Sequence, residues 1–210
     1  MSAVPQQWVA GWGASAVREP AAARADAEAQ RDDWLMQQLG RGAPHALDEL
    51  VRRYHQRVFA FAARLLGSVE AAEDVTQETF LRVLERAPRY APKGKFAVWL
   101  LTIAANLCKD YRKQQRRRAE TSLDALEGTE ADVVDVEEEA ARRLLFRRVC
   151  EAGAQLSHEH WTAVVLKHYE GFGYDDIARV MGCSVGTAKS RVHYGLKRLR
   201  ELLGAEDEMQ

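Results

Sequence analysis

Apolar residues along this chain recur at three- and four-residue spacing almost throughout, with no sustained alternation of period two bounded by hairpin turns. The pattern predicts an all-α protein. After Pro44, positions Leu47, Leu50, Val51, Tyr54, Val58, Phe61 and Leu65 form one helical stripe ending at Gly67, a C-cap candidate. Ser68 can then cap a second helix through Ala72, Val75, Thr79, Phe80, Val83 and Leu84, which stops at Pro88. A loop, RYAPKGK at 89–95, precedes a third helix whose apolar face is Phe96, Trp99, Leu100, Ile103, Ala104, Leu107 and Tyr111. That helix ends in the basic run KDYRKQQRRR, 109–118. A second group opens with Leu144, Leu145 and Val149, and Ser157 then caps a helix carrying Trp161, Val164, Val165 and His168. Gly171 and Gly173 break it. Beyond them the spacing predicts a short helix with Ile177, Ala178 and Met181, a turn at Gly182, a cap at Ser184 and a longer helix to about Leu203. This is a helix-turn-helix pattern.

Charge divides the same chain into blocks that its net of −1 conceals. Residues 45–119 hold fifteen basic and eight acidic side chains, and residues 141–203 hold eleven and six. Between them, 120–140 carries nine acidic residues and no basic one. Two basic blocks joined by an acidic strip poor in large apolar residues predict two helical domains, 31–119 and 141–204, and a flexible acidic linker at 120–140. Residues 1–30, with Trp8 and Trp12 among Ala, Pro and Gly, read as a disordered tail. Neither a membrane-spanning run nor a signal-peptide pattern is present in the sequence, so a cytoplasmic protein without membrane insertion is expected.

Most catalytic chemistry finds no foothold. His158 and His160 are two apart on a helix, about 200° around its axis, and cannot chelate one metal from the same face. No P-loop, nucleophile elbow or zinc spacing occurs, and the acidic strip lacks the order of a calcium loop. Cys108, Cys150 and Cys183 form no C-x-x-C pair and read as reduced small core residues. The expectation is a protein that is not an enzyme, without cofactor or metal. Nucleic acid suits the residues better. In a helix-turn-helix the second helix lies in the major groove, and here its early positions are Thr187, Lys189, Ser190, Arg191, His193 and Tyr194, with Arg198 suited to the backbone. Arg112, Lys113 and the arginines at 116–118 exceed what helix capping needs and can neutralise phosphates. Trp99 could stack on an unpaired base, although its spacing also fits a core residue. A free-standing helix-turn-helix regulator, which would need a dimer interface, and a helical interaction adaptor without DNA contact stand as alternatives.

Three segments in order, DVTQETFLRVLER (74–86), FAVWLLTIAANLCKDYRKQQRRR (96–118) and YDDIARVMGCSVGTAKSRVHYGLKRLREL (174–202), resemble extracytoplasmic-function sigma factors of bacterial RNA polymerase over roughly 31–203. The resemblance implies that 31–119 is region two, whose helix with Asp74, Gln77, Glu78, Phe80 and Arg82 docks on the β′ clamp coiled coil of core RNA polymerase. It implies that region two recognises and melts the minus-ten promoter element and holds a flipped base near the 89–95 loop. The corresponding residues are Arg89, Lys93, Lys95, Phe96, Trp99, Asn106, Arg112 and Lys113. It implies that 141–204 is region four, which recognises the minus-thirty-five element through Lys189, Ser190, His193 and Tyr194 and touches the β flap. An inhibitory anti-sigma factor is a further partner that members often have. One departure stands out: relatives often carry Arg-Ala after the position of His193, where this chain has Tyr194 and Gly195, and a helix-interior glycine costs about 1 kcal/mol relative to alanine.

Overall fold

A computed structural model of the chain describes residues 21–121 and 137–207, with the side chains of 27–118 and 144–204. Trp8, Trp12, the tail before residue 21 and the centre of the expected linker lie outside the described residues. Among the described residues there are eight α-helices and no strand. They are α1 (Ala21–Gly40), α2 (His45–Leu66), α3 (Val69–Arg86), α4 (Phe96–Thr121), α5 (Glu137–Ala154), α6 (His158–His168), α7 (Tyr174–Met181) and α8 (Val185–Asp207), with one 3-10 turn at Ala87–Arg89. No described helix is long and apolar enough to cross a membrane.

Local chemistry fixes the boundaries. Gly67 ends α2 in the left-handed conformation, φ 69°, and its N–H bonds the Ala63 carbonyl. Ser68 caps α3 by accepting from the Ala71 N–H, and Ser157 caps α6 by accepting from the His160 N–H. In α3 the buried hydroxyls of Thr76 and Thr79 bond the carbonyls of Ala72 and Val75 four residues back, so two polar side chains enter the core without an unmade hydrogen bond. The stripe Leu50, Tyr54, Val58, Phe61 and Leu65 is buried as its spacing predicts, and so are Phe96, Leu100, Ile103, Ala104 and Leu107 of α4.

Three expectations shift, and one question that the sequence leaves open is answered. The helix α1 begins at Ala21, so the boundary at residue 31 falls inside a helix, and its Leu35, Met36 and Leu39 belong to the core. The acidic strip is helical at both ends, since α4 runs to Thr121 and α5 begins at Glu137. Leu84, Leu144 and Leu145, counted toward apolar faces by their spacing, are exposed. Finally, the two helical groups are packed together. Their buried residues form one continuous hydrophobic cluster, with α4 against α7 and α2 against α5 and α6.

Polar bonds cross that junction. The indole N–H of Trp161, wholly buried on α6, donates to the Arg64 carbonyl at 2.7 Å, one of the last-turn carbonyls of α2 that has no partner within its own helix. Trp161 fits because Gly153 lies under it: a Cβ there would sit 2.4 Å from the ring. Arg57 pairs with the buried carboxylate of Glu170 at 2.6 Å, Lys95 with Asp176 at 2.5 Å, and Arg112 donates to the Ala154 carbonyl at 3.1 Å.

Candidate nucleic-acid interface

The 3-10 turn and loop at 87–95 border a groove of about 940 Å³. Arg86, Arg89, Lys93, Lys95 and Arg179 line it with Tyr90 and Trp99, and no carboxylate is among the lining residues. Arg86, Arg89 and Lys93 pair with no acid among the described residues, so the groove presents unneutralised positive charge beside an aromatic wall. That wall is a chain of edge-on rings: Tyr54 to Phe96 at 5.1 Å, Phe96 to Tyr90 at 6.2 Å and Tyr90 to Trp99 at 5.0 Å between centroids. Phe96 is wholly buried and supports Trp99 from behind, whereas half-buried Trp99 faces the groove.

The loop is held from α1. The Asp33 carboxylate accepts from the Tyr90 hydroxyl at 2.6 Å and from the Gly94 N–H at 2.7 Å. Burial, then the bond to Asp33, pushes the Tyr90 phenol far above its ordinary range, so it stays a donor. Asp32, beside it, is buried and accepts from Tyr54 and from Arg53. Burial raises the pKa of Asp32 against the opposing pull of these two donors.

Asn106 is not in this groove. It is exposed and lines a separate crevice of about 110 Å³ with Lys109, His158, Glu159 and Arg191. Helical spacing places it on a broad face with Trp99, and the packing of α7 on α4 divides that face in two. Burial pushes the His158 imidazole down to about 4, with nearby Arg112 adding to the effect, so it is neutral at pH 7. Burial, followed by the neighbouring Arg116, also lowers the pKa of Arg112, whose guanidinium is occupied at Ala154. Lys113 and residues 116–118 remain exposed along the end of α4.

On α3, Asp74 and Gln77 are exposed and Glu78 pairs with Arg82 one turn on, at 2.8 Å. Phe80 is buried and secures the helix to the core rather than facing out. Two residues that sequence reasoning missed complete the outer face: Leu81 and Leu84 are 55% and 45% exposed. For Leu81 the available signal was its position opposite Val75 and Val83 on the helix; Leu84, four residues after Phe80, gave no such signal.

In the helix-turn-helix, Gly182 ends α7 at φ 60° and its N–H bonds the Ala178 and Arg179 carbonyls. Ser184 accepts from the Thr187 N–H at 3.1 Å and its hydroxyl meets that of Thr187 at 2.8 Å. Lys189, Ser190, His193 and Tyr194 are exposed on α8, while Ala188 and Val192 pack inward. Ser190 turns its hydroxyl to the Thr187 carbonyl, Arg191 leans into the crevice beside Asn106, and Arg198 pairs with Glu201 at 3.1 Å. The Lys189 ammonium lies 5.7 Å from the Tyr174 ring. All three cysteines are free, and burial pushes the Cys108 and Cys150 thiols up to about 12, which makes them unreactive.

Comparison with known proteins accounts for this combination. The sigma-70 region 2 family matches residues 50–118 and the sigma-70 region 4 family matches 154–199. The RNA polymerase sigma factor CarQ of Myxococcus xanthus is 36% identical over 169 residues, 80% of this chain and 95% of its own. The chain belongs to the extracytoplasmic-function sigma factors. Other members of the group align at similar levels, among them the sigma factor SigW of Bacillus subtilis, 29% identical over 80% of this chain and 94% of its own. CnrH, solved in complex with the cytosolic domain of CnrY, is 26% identical with a TM-score of 0.63, covering 83% of this chain and 98% of that one. The sigma factor RpoE of Bartonella quintana, solved with the anti-sigma factor NepR, is 25% identical with a TM-score of 0.58, over 75% and 96%. Apart from Arg179 on α7, the groove and the α3 face thus belong to region two of a sigma factor, and the helix-turn-helix to region four. As a sigma factor, the protein acts in promoter-directed transcription initiation.

Proposed function

We propose that the protein is a cytoplasmic, dissociable promoter-specificity subunit that performs no covalent chemistry itself. The α3 face of Asp74, Gln77, Leu81 and Leu84 docks on the β′ clamp coiled coil of core RNA polymerase, and region four touches the β flap. Region two takes the unpaired minus-ten strand into the groove at 89–95. There Arg86, Arg89 and Lys93 neutralise phosphates and Trp99 offers a stacking surface for a base that has left the duplex. Lys113 and residues 116–118 extend the same positive track. Region four lays α8 in the major groove, with Lys189, Ser190, His193 and Tyr194 toward the bases of the minus-thirty-five element. An anti-sigma factor, such as the one bound to RpoE, is the expected inhibitor.

The observation that carries this reading is the carboxylate-free basic groove walled by Tyr90 and Trp99, on a chain that also presents an exposed recognition helix. Transcription in vitro with purified core polymerase on a genomic fragment library tests it. A discrete start site that requires the protein is the expected result. Initiation no different from that of core polymerase alone would overturn the reading.

A further inference from the structure

We propose that α1, which precedes both family matches, is part of the promoter-opening machinery, and that Asp33 is the positioning residue that sets the minus-ten loop and Trp99 for an unpaired base. The inference rests on the sigma-factor reading and adds to region two a helix outside the matched residues 50–118.

Contacts run along α1 from Ala29 to Gly40. At its end, Gly40 lies so close to the 3-10 turn that a Cβ would come within 2.8 Å of the Ala87 carbonyl oxygen. In its middle, Asp33 uses its two carboxylate oxygens on the two ends of a five-residue loop, one for the Tyr90 hydroxyl and the other for the Gly94 N–H. One turn earlier, Ala29 shares the face of Asp33, and its Cβ lies 4.0 Å from where a side chain on Gly94 would begin. Residues 87–94 therefore lie along one helix, antiparallel to it.

The carboxylate is suited to this task and to little else. It sits outside the lining of the groove, so it does not meet the nucleic acid directly, and it acts through the residues it holds. Gly94 is left-handed at φ 63°, a conformation the Asp33 bond to its N–H stabilises. Tyr90, held at its hydroxyl, places its ring edge-on to Trp99 at 5.0 Å, and this ring contact fixes one side of the surface against which a base would stack. Five residues with Pro and Gly, braced at both ends, lose their freedom during folding instead of during promoter opening.

The test uses the full chain with core polymerase on a promoter it initiates from, and separates initial promoter binding from the rate of strand opening by permanganate reactivity of unpaired thymines. Asp33→Ala should slow opening about ten-fold, the scale expected when a reacting geometry loses its support, while core affinity and initial binding stay within about two-fold. Tyr90→Phe should slow it less, because it removes one of the two bonds. On the Asp33→Ala background it should add nothing, since the partner of the hydroxyl is already gone. Asp33→Asn, which keeps an acceptor for one bond, should fall between wild type and Asp33→Ala. Opening at the wild-type rate in Asp33→Ala overturns the proposal. So does a loss spread equally over core affinity, initial binding and opening with a lowered unfolding midpoint, which marks a general structural role. So does an effect of Tyr90→Phe that multiplies with that of Asp33→Ala. If no promoter is found from which the protein initiates with core polymerase, the proposed function has failed and the brace falls with it.

Discussion

At position 195 two physical effects compete and the tertiary one is larger. Helix propensity favours alanine over glycine by about 1 kcal/mol, yet a Cβ at Gly195 would meet Val164 at 2.7 Å and the His160 backbone oxygen at 2.9 Å. A side-chain tip can swing aside; a helix backbone cannot without separating α6 from α8. Gly195→Ala should therefore destabilise region four by about 1 to 3 kcal/mol, the usual cost of overpacking, and a guanidinium unfolding curve would show it as a lowered midpoint. An unchanged or higher midpoint would mean that propensity dominates. Side chains on α8 differ in another way. Exposed Lys189 stands on the early part of α8, which the proposed docking lays in the major groove, whereas Arg198 stands two to three turns later and already pairs with Glu201. Lys189→Ala should cost about 1 to 3 kcal/mol at one base pair of the minus-thirty-five element and relax preference there. Arg198→Ala should weaken all sequences alike and lower the salt slope by roughly one. Binding titrations on single-substitution duplexes at several salt concentrations separate the two.

Two helices carry predictions of their own. The outer face of α3 combines exposed Asp74 and Gln77 with exposed Leu81 and Leu84, apolar area that contributes nothing to the internal core. Leu81→Asp should leave the unfolding free energy within about 0.5 kcal/mol, as exposed substitutions do, while sharply reducing core polymerase capture in a pull-down. Retained capture would remove α3 from the docking surface. Stability should depend on pH through His158 of α6, whose neutral form the fold favours because burial and Arg112 oppose its protonation. Lys109 adds to that opposition and Glu159 works against it. With the folded pKa near 4 and the unfolded one near 6.5, the stabilisation is complete above about pH 6.5 and is lost as pH falls toward 4. His158→Gln should flatten the decline of the urea midpoint across that interval relative to wild type; identical slopes would show that His158 does not contribute.

At the scale of the whole molecule, the two modules touch, whereas their promoter elements are 25 base pairs apart by name, about 85 Å of B-form duplex. A single chain cannot reach both while Lys95 is held by Asp176, Arg57 by Glu170 and Trp161 by Arg64. If each module reads the element proposed for it, the packed arrangement opens on the promoter. Glu170→Arg sets like charges against each other at Arg57 and should increase the radius of gyration of the free protein in small-angle scattering. Combining it with Arg57→Glu restores an opposite pair and should bring the radius back. A single variant as compact as wild type would show that this pair does not hold the halves together.

The all-α class, the capping of α2, α3 and α6 and the helix-turn-helix were legible in the chain, because each depends on neighbours three or four residues away. Gly67, Ser68, Ser157 and Ser184 act within one turn of their own positions. The ordered motifs of region two and region four were legible only as a resemblance, carried by residue identities and their order along the chain. What depended on distant partners was not. Asp33 is an unremarked acid until α1 brings it to Tyr90, 57 residues away, and Asn106 shares a helical face with Trp99 until α7 covers the middle of it. Leu81 and Phe80 are adjacent apolar residues whose opposite exposures come from the side on which α3 meets its neighbours. Gly195 looked like a flaw in a helix until its contact with α6 was placed. Local periodicity sets where a helix forms and which stripe is apolar; the union of stripes, and hence which polar groups face one another across them, is a property of long-range packing.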